Sequence, residues 1–519
     1  MKLVTTEQMR TLEKQAFAAG TSEAALMERA GAAVAEAAAR WLAGRRAMRV
    51  LVLVGKGNNG GDALIAARVL RETYGAEPRL YLCAGRPPSD PLLSWARDAG
   101  MPIFVHEQAP PEQLVAQLAA AEVVLDGVLG IGGRLPLRGP VAEVLRAAGE
   151  TQPPGQRRIA VDVPTGVQSD TGQVDDHAFR AHVTFTTGPA KPGLFIAPGA
   201  RFAGRVLPVD VGLYSPDDHP LERAGDGDVA RLLPPRSDDA HKGTYGKVLV
   251  IAGSAQYVGA AYLAGAAAVR AGAGLVTLAV PARVQAALAG RSVETTYLPL
   301  PDDREAPGCL TPGHLGSLLD AARGYEAVAL GPGLGSDAAT RRLVLLLAER
   351  LAEPDDWPPV LIDADGLNAL AASGDWPRPA EARWVLTPHP GEMSRLSGLP
   401  TAEIQRDRLR VALEHAAKWG QVVVLKGAPS IVAAPDGRAT LGAHANGALA
   451  TAGSGDVLTG LTVGLLAQGC PPFAAAVAGC YVHGLAGELW RARHGAAGLA
   501  VSDLLPEIPN ALRYLRALA

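Results

Sequence analysis

Short apolar and β-branched runs that end in glycine-rich loops constrain the fold of this chain more than any other feature. The first half contains four of them, at residues 48–55, 78–85, 122–130 and 157–166. Helical patterns such as residues 61–75 lie between the runs. This alternation predicts βαβ units, in which parallel strands form one sheet with helices on both of its faces.

The second half repeats the pattern, with runs at residues 246–254, 325–335, 359–370, 383–392 and 421–430. The loops that follow these runs contain Gly, Asp, His or Lys. Ligands bind at the carboxyl ends of the strands in open α/β sheets. We therefore expect the functional residues in these loops.

The length of the chain indicates two domains, because 519 residues exceed what one hydrophobic core supports. The polar stretch 214–243, rich in Pro, Asp and Gly, is the expected linker, with the boundary near residue 220. We expect two three-layer αβα domains, at residues 1–218 and 225–519. Residues 227–236 are expected to contain a short helix of the second domain.

Charge and cysteine content exclude several classes of protein. The net charge is −3 and no basic stripe is present, which argues against a nucleic-acid partner. The four cysteines form no CxxC pair and have no histidine at zinc-ligand spacing, so we expect reduced, buried thiols in a cytoplasmic protein. The N-terminus is typical of a polar helix with a Thr5/Gln8 capping box rather than a secretory signal.

Residues 457–487 contain no Asp, Glu, Lys or Arg, which raises the question of a membrane span. Pro471 and Pro472 divide this stretch into pieces that are each shorter than a bilayer crossing, and Gln468 and His483 add polarity. Two buried core helices are the better interpretation, and no membrane partner is expected.

The first glycine loop departs from a dinucleotide-binding loop. Gly55, Gly57 and Gly60 have the GxGxxG spacing between a predicted strand and a predicted helix, which alone is a weak signal. The fingerprint also requires an acidic residue near the end of the next strand, and residues 78–85 contain none. An ordinary dinucleotide site is therefore a poor interpretation.

Oxygen-bearing side chains follow three of the predicted strands in the first half. Each of them alone is more often a turn residue or a helix cap. Together, at the carboxyl ends of neighbouring strands, they suit a hard monovalent cation, because every candidate ligand is oxygen. The loop 127–139 adds backbone N–H groups and two arginines that suit a phosphate. The residues concerned are Asn58, Asn59, Asp62, Asp126, Asp162 and Thr165.

The motifs "GKGNNGGD", "VLDGVLGIGGR", "VDVPTGVQSDTG" and "KPGLFIAPGARFAGRV" closely resemble the YjeF N-terminal family, the NAD(P)H-hydrate epimerases. The similarity covers nearly all of residues 1–215 and implies a Rossmann-like epimerase domain. It implies K⁺ held around Asn59, Asp126 and Thr165. Ala63 and Thr165 replace a common glycine and serine, but both are small, and Thr165 can supply the same oxygens.

The same resemblance implies the residues that contact the substrate. They are Asn58, Asn59, Gly60, Gly61, Asp62, Gly130, Ile131, Gly132, Gly133, Arg134, Leu135, Pro136 and Asp162. The bonds at C6 of the substrate open readily because C6 is a hemiaminal carbon. We expect Asp162 to act as the acid/base in this step.

The second half has no GxxxxGK[ST] motif, so it is not a P-loop nucleotide-binding domain. Instead, Gly453 and Gly455 form a turn that opens a helix at Asp456, where N–H groups and the helix dipole suit phosphate oxygens.

Three sets of residues in the loops of the second half have two interpretations each. His389, in "TPHPGE", is either a site residue on a rigid loop or a structural histidine. Lys426 is either a site residue or a solvated charge. Asp363 and Asp365 either cap the next helix or contact magnesium-bound water, and they stay outside the expected catalytic set.

Six motifs in order, from "HKGTYGKVLVIAGS" through "LGPGLGSD", "LIDADGLNAL", "LTPHPGEMSRL" and "VVLKGAPSIV" to "NGALATAGSGDVLTG", closely resemble the ADP/ATP-dependent NAD(P)H-hydrate dehydratases of the ribokinase-like superfamily. The similarity covers about residues 225–519, and Ala452 replaces a frequent glycine. It implies substrate contacts at Ala260, Gly335, His389 and Asp456. It implies nucleotide contacts at Lys426, Gly427, Ala428, Pro429, Ser430 and Gly455, with ADP or ATP and Mg²⁺.

The two halves together resemble the bifunctional NAD(P)H-hydrate repair enzymes. This resemblance implies a chain that interconverts the R and S epimers of NADHX and NADPHX and dehydrates the S epimer, consuming ADP or ATP. ADP is expected because bacterial members generally use it and this Ala-, Arg- and Pro-rich fused chain looks bacterial. A homo-oligomer is expected because domains of this family commonly assemble.

Two alternatives stay open at this stage. A vitamin-precursor kinase, of the hydroxymethylpyrimidine or hydroxyethylthiazole type, fused to a binding module would give a stable phosphorylated product. A non-catalytic first domain that binds protein or lipid would not depend on potassium. The presence of Asn59, Asp126 and Asp162 argues against the second alternative.

Overall fold

The computed structural model describes residues 1–43, 47–87 and 89–518. The chain divides into two compact units, Lys2–His219 and Pro220–Ala519, and Met1 groups with the second. Residues 221–223, which the sequence analysis leaves between the two domains, form a strand of the second sheet.

Strands and helices alternate in the first unit. In chain order they are α1 Thr6–Ala18, α2 Glu23–Trp41, β1 Arg49–Val54, α3 Asn58–Glu72, β2 Glu77–Leu82, α4 Pro91–Asp98, β3 Ile103–Val105, α5 Pro111–Ala120, β4 Val123–Gly127, α6 Gly139–Glu150, β5 Arg157–Val161, β6 Val183–Thr187, α7 Ala200–Ala203 and β7 Arg205–Val209. The capping box that the sequence predicts at the start of α1 is confirmed, because Thr5 and Gln8 bond each other's backbone N–H groups.

The described strands of the first unit form a parallel sheet in the order β3-β2-β1-β4-β5-β6-β7. Alternate residues of β1 enter different cores: Val50 and Val52 pack with α2 and α3, whereas Leu51 and Leu53 pack with α5 and α6. The strand order reverses between β1 and β4, which opens a crevice at their carboxyl ends.

The second unit is larger. Its elements are β8 Leu221–Arg223, α8 Asp226–Ala230, β9 Lys247–Ile251, α9 Val258–Ala271, β10 Leu275–Pro281, α10 Ala282–Leu288, β11 Thr296–Leu300, α11 Leu315–Ala322, β12 Ala327–Leu330, α12 Ala338–Ala352, β13 Val360–Ile362, α13 Asp365–Ser373, β14 Trp384–Leu386, α14 Pro390–Ser397, α15 Thr401–Arg406, α16 Arg408–Trp419, β15 Val422–Leu425, β16 Ile431–Ala433, β17 Ala439–Leu441, α17 Ser454–Ala467, α18 Pro472–His494 and α19 Glu507–Arg516. Helix α8 is the predicted short helix.

The second sheet has the order β11-β10-β9-β12-β13-β14-β15-β16-β17-β8. Its strands from β11 to β15 are parallel, and β16 runs antiparallel to both of its neighbours. The order reverses between β9 and β12, so a second crevice opens there. The predicted α/β class with parallel sheets is confirmed in both units.

The uncharged stretch 457–487 forms most of α17 and α18, two buried helices that pack against each other. Within the described residues, no helix is long and apolar enough to cross a membrane. All four cysteines are free, but only Cys83 and Cys470 are buried. The prediction of buried thiols is therefore wrong for Cys309, which is partly exposed, whereas Cys480 packs against the core and burial raises the pKa of its thiol to about 12.

Candidate active sites

The crevice of the first unit is built from loops that approach each other closely. A Cβ placed on Gly55 would lie 1.9 Å from the carbonyl oxygen of Val128, so the loops after β1 and β4 are in backbone contact. Only glycine permits this approach. Helix α3 begins at Asn58, and this brings the predicted residues 58–62 to the carboxyl end of β1.

Asp126 and Thr165 form the floor of this crevice. The buried carboxylate of Asp126 accepts hydrogen bonds from the Thr165 hydroxyl and the Thr165 backbone N–H, both at 2.7 Å. It also accepts one from Val128 N–H at 3.1 Å. Burial outweighs these bonds and raises the pKa of Asp126 to about 6. The two residues, predicted as cation ligands, are therefore in direct contact.

Asn59 lies beside the catalytic candidate Asp162. A Cβ on Gly130 would lie 3.2 Å from Asn59 Oδ1 and 3.1 Å from Asp162 Oδ2. The Asn59 backbone carbonyl also faces Gly127, next to Asp126. The Nδ2 atom of Asn59 is buried without a hydrogen-bond partner. A buried polar group without a partner is costly, so this amide is poised for a ligand.

Asp162 is held by a lysine that the sequence analysis missed. Its Oδ1 accepts a 2.6 Å bond from the ammonium of Lys191, whose side chain is 0% exposed. It also accepts bonds from the Thr187 hydroxyl at 2.9 Å and from Thr187 N–H at 3.2 Å. Asp162 has a φ of +64°, an uncommon conformation for a residue with a side chain. Lys191 begins the quoted motif "KPGLF", which was the available signal.

A cavity of about 120 Å³ lies against Asp62, and Glu13 and Glu23 also line it. Glu13 comes from α1 and Glu23 from α2, so both precede the motifs that drew attention in the sequence. Burial, and after it the charge of Asp162, raises the pKa of Asp62 well above its ordinary value and also raises that of Glu13. Asn58 donates to Glu23 at 2.8 Å.

The rest of the predicted substrate loop is more open. Gly133 N–H donates to Gly130 at 3.0 Å, which turns the loop back on itself. Gly132, Arg134 and Pro136 are exposed, and Ile131, Gly133 and Leu135 are partly so. No hydrogen bond or ion pair of the described residues joins the Arg134 side chain to the crevice.

In the second unit, the loops after β9 and β12 meet at the start of α9. A Cβ on Gly333, which has φ +62°, would lie 2.6 Å from the Cβ of Ala260. Nearby, Gly335 N–H donates to Asp365 Oδ2 at 2.8 Å. Helix α13 has no side-chain cap, so the capping role left open for Asp363 and Asp365 is not present.

Lys426 is not a solvated charge. Its ammonium donates to Asp363 Oδ1 at 2.7 Å and lies 3.6 Å from Glu392 Oε2. The second oxygen of Asp363 accepts a 2.7 Å bond from the hydroxyl of Thr459 in α17. Burial lowers the pKa of Lys426, but Asp363 and Glu392 together outweigh it and raise that pKa.

Asp456 lies in the first turn of α17, beside this ion pair. Burial, with the charges of Asp363 and Asp365, raises its pKa to about 7, although the ammonium of Lys426 acts in the opposite direction. A Cβ on Gly455 would lie 3.5 Å from Lys426 Nζ and 3.7 Å from Asp363 Oδ2. This region therefore combines the N-terminus of α17, the ammonium of Lys426 and a carboxylate whose pKa is near neutrality.

His389 begins α14 as its N-cap. Its Nδ1 accepts from Gly391 N–H at 3.0 Å, and its Nε2 lies 3.3 Å from Glu392 Oε1. Burial lowers its pKa, which favours the neutral ring that this cap requires. The side chain is half exposed, so the capping role leaves one edge of the ring free for a ligand.

The predicted nucleotide loop follows β15. Gly427 and Ala428 are exposed, Ser430 is partly exposed and Pro429 is buried. A Cβ on Gly427 would lie 2.3 Å from an Nη atom of Arg408, whose buried guanidinium donates to Leu425 at 3.1 Å. Arg408 therefore packs against the back of the loop, and no sequence motif indicated it.

Comparisons with known proteins identify the family of this chain. Residues 248–510 match the family model described as NAD(P)H-hydrate dehydratase, and residues 23–193 match that of the YjeF-related protein N-terminus. The bifunctional NAD(P)H-hydrate repair enzyme of Thermofilum pendens is 37% identical over 526 residues, which covers 99% of this chain and 97% of that protein.

Solved structures resemble the second unit. A ribokinase-like superfamily protein from Enterococcus faecalis has a TM-score of 0.50 at 23% identity, covering 58% of this chain and 98% of its own. The ADP/ATP-dependent NAD(P)H-hydrate dehydratase of Bacillus subtilis, co-crystallised with ATP and Mg²⁺, has a TM-score of 0.48 at 34% identity, covering 57% and 98%. The two family matches and the full-length relative confirm both resemblances seen in the sequence: the chain belongs to the bifunctional NAD(P)H-hydrate repair enzymes.

Proposed function

We propose that this chain repairs hydrated NAD(P)H in two steps. The first domain interconverts the R and S epimers of NADHX and NADPHX, and the second dehydrates the S epimer back to NADH or NADPH. ADP or ATP is consumed and leaves as AMP or ADP with phosphate. The observation that carries the proposal is Asp456, a carboxylate of pKa about 7 at a helix N-terminus beside the Lys426–Asp363 pair.

Asp456 acts as the general base in the second domain. The substrate has a hydroxyl at C6, next to the ring nitrogen, and hydroxide is a poor leaving group. Asp456 takes the hydroxyl proton while the oxygen attacks the terminal phosphorus of the nucleotide, whose bond to the bridging oxygen breaks. Such general-base assistance typically contributes about 10²–10⁴-fold to the rate.

The phosphorylated intermediate then decomposes. The lone pair of the ring nitrogen forms a double bond to C6 while the C6–O bond breaks and phosphate leaves with that electron pair. Loss of the C5 proton gives the C5–C6 double bond of the dihydronicotinamide. The chemistry therefore starts as in a kinase, but its phosphorylated product does not accumulate.

The nucleotide is assigned to Lys426, Gly427, Ala428, Pro429, Ser430 and Gly455. Lys426 and the N–H groups that open α17 would hold its phosphates. Among the described residues, no three acidic, His or Cys side chains cluster as a metal site. Mg²⁺ commonly keeps several waters and binds through substrate phosphates. When bound, Mg²⁺ neutralises charge on the transferred phosphate.

The substrate of the second domain is assigned to Ala260, Gly335, His389 and Asp456. Gly333 places the Gly335 loop against Ala260. His389 and Lys426 follow the neighbouring parallel strands β14 and β15, so both lie at the carboxyl-terminal edge of the sheet. A chiral site of this kind accepts one C6 epimer, which is why the chain needs a second activity.

In the first domain, Asp162 is assigned as the acid/base, with Asn58 to Asp62 and Gly130 to Pro136 around the substrate. The Lys191 ammonium fixes the Asp162 carboxylate while one of its oxygens, Oδ2, faces Gly130. If Asp162→Ala leaves epimer exchange only at the spontaneous rate, the assignment holds; unchanged enzymatic exchange overturns it.

K⁺ is assigned to Asn59, Asp126 and Thr165. The fit rests on two observations: the candidate ligand atoms are oxygens, and Asp126 and Thr165 are in contact. When bound, the ion would supply positive charge at the base of the substrate loops. The cytoplasmic location and the homo-oligomer stay predictions.

One assay tests the two activities together. A mixture of both hydrate epimers is incubated with the protein, Mg²⁺, K⁺ and either ADP or ATP, while dihydronicotinamide absorbance and phosphate release are followed. Complete recovery, faster than spontaneous epimerisation permits, supports both activities and identifies the nucleotide. No recovery, with nucleotide consumed only when a vitamin precursor is added, would instead favour the kinase alternative.

A further inference from the structure

A cavity of about 320 Å³ lies in the second unit, away from the residues assigned to catalysis. It is formed where α9 and α19 end, and four of its lining residues are arginines: Arg236, Arg270, Arg513 and Arg516. We propose that this cavity, called here the arginine cavity, binds an anion with two or more phosphate groups. The proposal is independent of the proposed function.

The four guanidinium groups have no acidic partners among the described residues 1–43, 47–87 and 89–518. Within the part of the chain that the structure describes, none of them forms an ion pair with a carboxylate, although most other close charge pairs of this protein involve arginine. Arg236 illustrates the point, because it contacts neutral groups only. It stacks on the Tyr245 ring at 3.7 Å, and it donates to the Gly272 carbonyl and to Gln468 Oε1.

Arg516 is the least satisfied of the four. Its Nε and one Nη atom are buried and have no hydrogen-bond partner. Burial, and after it the charge of Arg236, lowers the pKa of Arg516. Leaving a buried polar donor unpaired costs about 1–3 kcal/mol, and more when the group is charged. Arg516 lines the cavity, so an anion there would lie beside a guanidinium that has no carboxylate partner among the described residues.

Helix ends do not balance this charge. The carboxyl termini of α9 and α19 each offer about half a negative charge, which against the four cations leaves a surplus of roughly three among the described residues. Arginine forks match phosphate oxygens through paired N–H···O bonds. A diphosphate, with several charges and two sets of oxygens, therefore fits this cavity better than a single carboxylate.

The arginine cavity is separate from the catalytic site. Helix α9 has 14 residues, with Ala260 in its first turn and Arg270 in its last. At 1.5 Å per residue, the two ends of this helix are roughly 20 Å apart. An anion in the cavity would therefore be a second ligand and not the nucleotide that is consumed.

The test is a calorimetric titration of the full chain with inorganic pyrophosphate at fixed ionic strength. The variant is Arg270→Gln with Arg513→Gln, two exposed positions. Its matched control is Arg341→Gln with Arg342→Gln, which removes the same charge from the exposed face of α12. We expect the cavity variant to lose one binding event or weaken it at least tenfold, and the control to match the wild type. Identical isotherms for the cavity variant and the wild type would overturn the proposal.

A second measurement avoids mutation. Phenylglyoxal modifies accessible arginines, and mass spectrometry reports each site. Pyrophosphate should protect Arg270 and Arg513 but not Arg341; equal modification of all three with and without pyrophosphate would overturn the proposal. Both measurements are repeated with ADP, because only a ligand that fits the cavity protects these arginines. Protection by pyrophosphate alone indicates free diphosphate as the ligand, and protection by ADP indicates the diphosphate of a nucleotide.

Discussion

Asp456 shows how neighbouring groups change the chemistry of one residue. A solvated aspartate would be ionised at neutral pH and would be a weak base. Burial and two nearby carboxylates, Asp363 and Asp365, raise its pKa to about 7. A general base is most effective when its pKa lies near the working pH. The position of Asp456, and not its residue type alone, makes it suited to removing a hydroxyl proton.

Asp456→Asn should abolish dehydration while nucleotide binding is retained, because the amide cannot accept the proton but keeps the shape of the turn. In the unchanged protein, the base is active only when deprotonated. The kcat/KM of the wild-type protein for dehydration should therefore increase as the pH is raised through about 7 and decrease as the pH is lowered below it. Measured turnover, nucleotide affinity and the pH profile check these outcomes. Turnover by Asp456→Asn near the wild-type rate would contradict the assignment.

Asp363→Asn should move the acidic limb of the pH profile of kcat/KM for dehydration to lower pH. Asp363 raises the pKa of Asp456, so removing its charge lowers that pKa, and Lys426 loses its 2.7 Å partner. The measurement is the pH dependence of kcat/KM for dehydration. Asp375→Asn is the control, because Asp375 is 93% exposed and should leave the profile unchanged. A limb that stays in place or moves to higher pH would mean that Asp363 does not act on Asp456 through charge.

At the scale of elements, α9 and α17 carry Ala260 and Asp456, two residues assigned to the proposed second site, and the two helices pack backbone to backbone. A Cβ on Gly460 of α17 would lie 2.0 Å from the carbonyl oxygen of Ala264 in α9. A Cβ on Gly464 would lie 2.9 Å from the Cβ of Ala271. Small residues on both helices therefore permit the contact, which fixes Asp456 relative to Ala260.

Gly460→Ala should destabilise the second domain, because its added methyl group has no room and forces the helices apart. Overpacking of this kind typically costs about 1–3 kcal/mol. The matched control is Gly316→Ala in α11, where a Cβ meets nothing within 4 Å. That change should stabilise the protein by roughly 0.5–1 kcal/mol, since alanine loses less backbone entropy in a helix. Urea unfolding measures both, and a neutral Gly460→Ala would contradict the packing argument.

At the scale of the whole molecule, two separate crevices serve one substrate pool. Each unit has its own sheet and its own cores on that sheet. The hydrates that leave one site are small and diffuse freely. We therefore expect the hydrate to pass from the first site to the second by diffusion through solution, whether or not the two sites belong to the same molecule.

An equimolar mixture of the Asp162→Ala and Asp456→Asn proteins should recover the whole hydrate pool. Asp162→Ala alone should slow to the rate of spontaneous epimerisation once the S epimer is consumed, and Asp456→Asn alone should recover none. Dihydronicotinamide absorbance follows all three reactions. The wild-type protein at the same number of working sites is the reference. Recovery by the mixture that falls well below the reference would indicate direct transfer between sites on one chain.

Much of the architecture could be predicted from the sequence. The apolar runs became β1, β2, β4 and β5 of the first sheet and β9, β12, β13, β14 and β15 of the second. The contacts of Asp126 with Thr165 and of Asn59 with Gly130 follow from loops after neighbouring strands. These predictions succeed because side-chain periodicity and turn chemistry are local properties of the chain.

The sequence by itself located the strands that form strong apolar runs and the glycine-rich loops after them, but only the tertiary structure decided which side chains meet. Lys426 and Asp363 are 63 positions apart, and Lys191 reaches Asp162 across a strand and a loop. Glu13 enters the cavity of the first domain from a helix that carries no motif. Burial and charge pairing depend on neighbours that are distant in the chain, so no local pattern could reveal them.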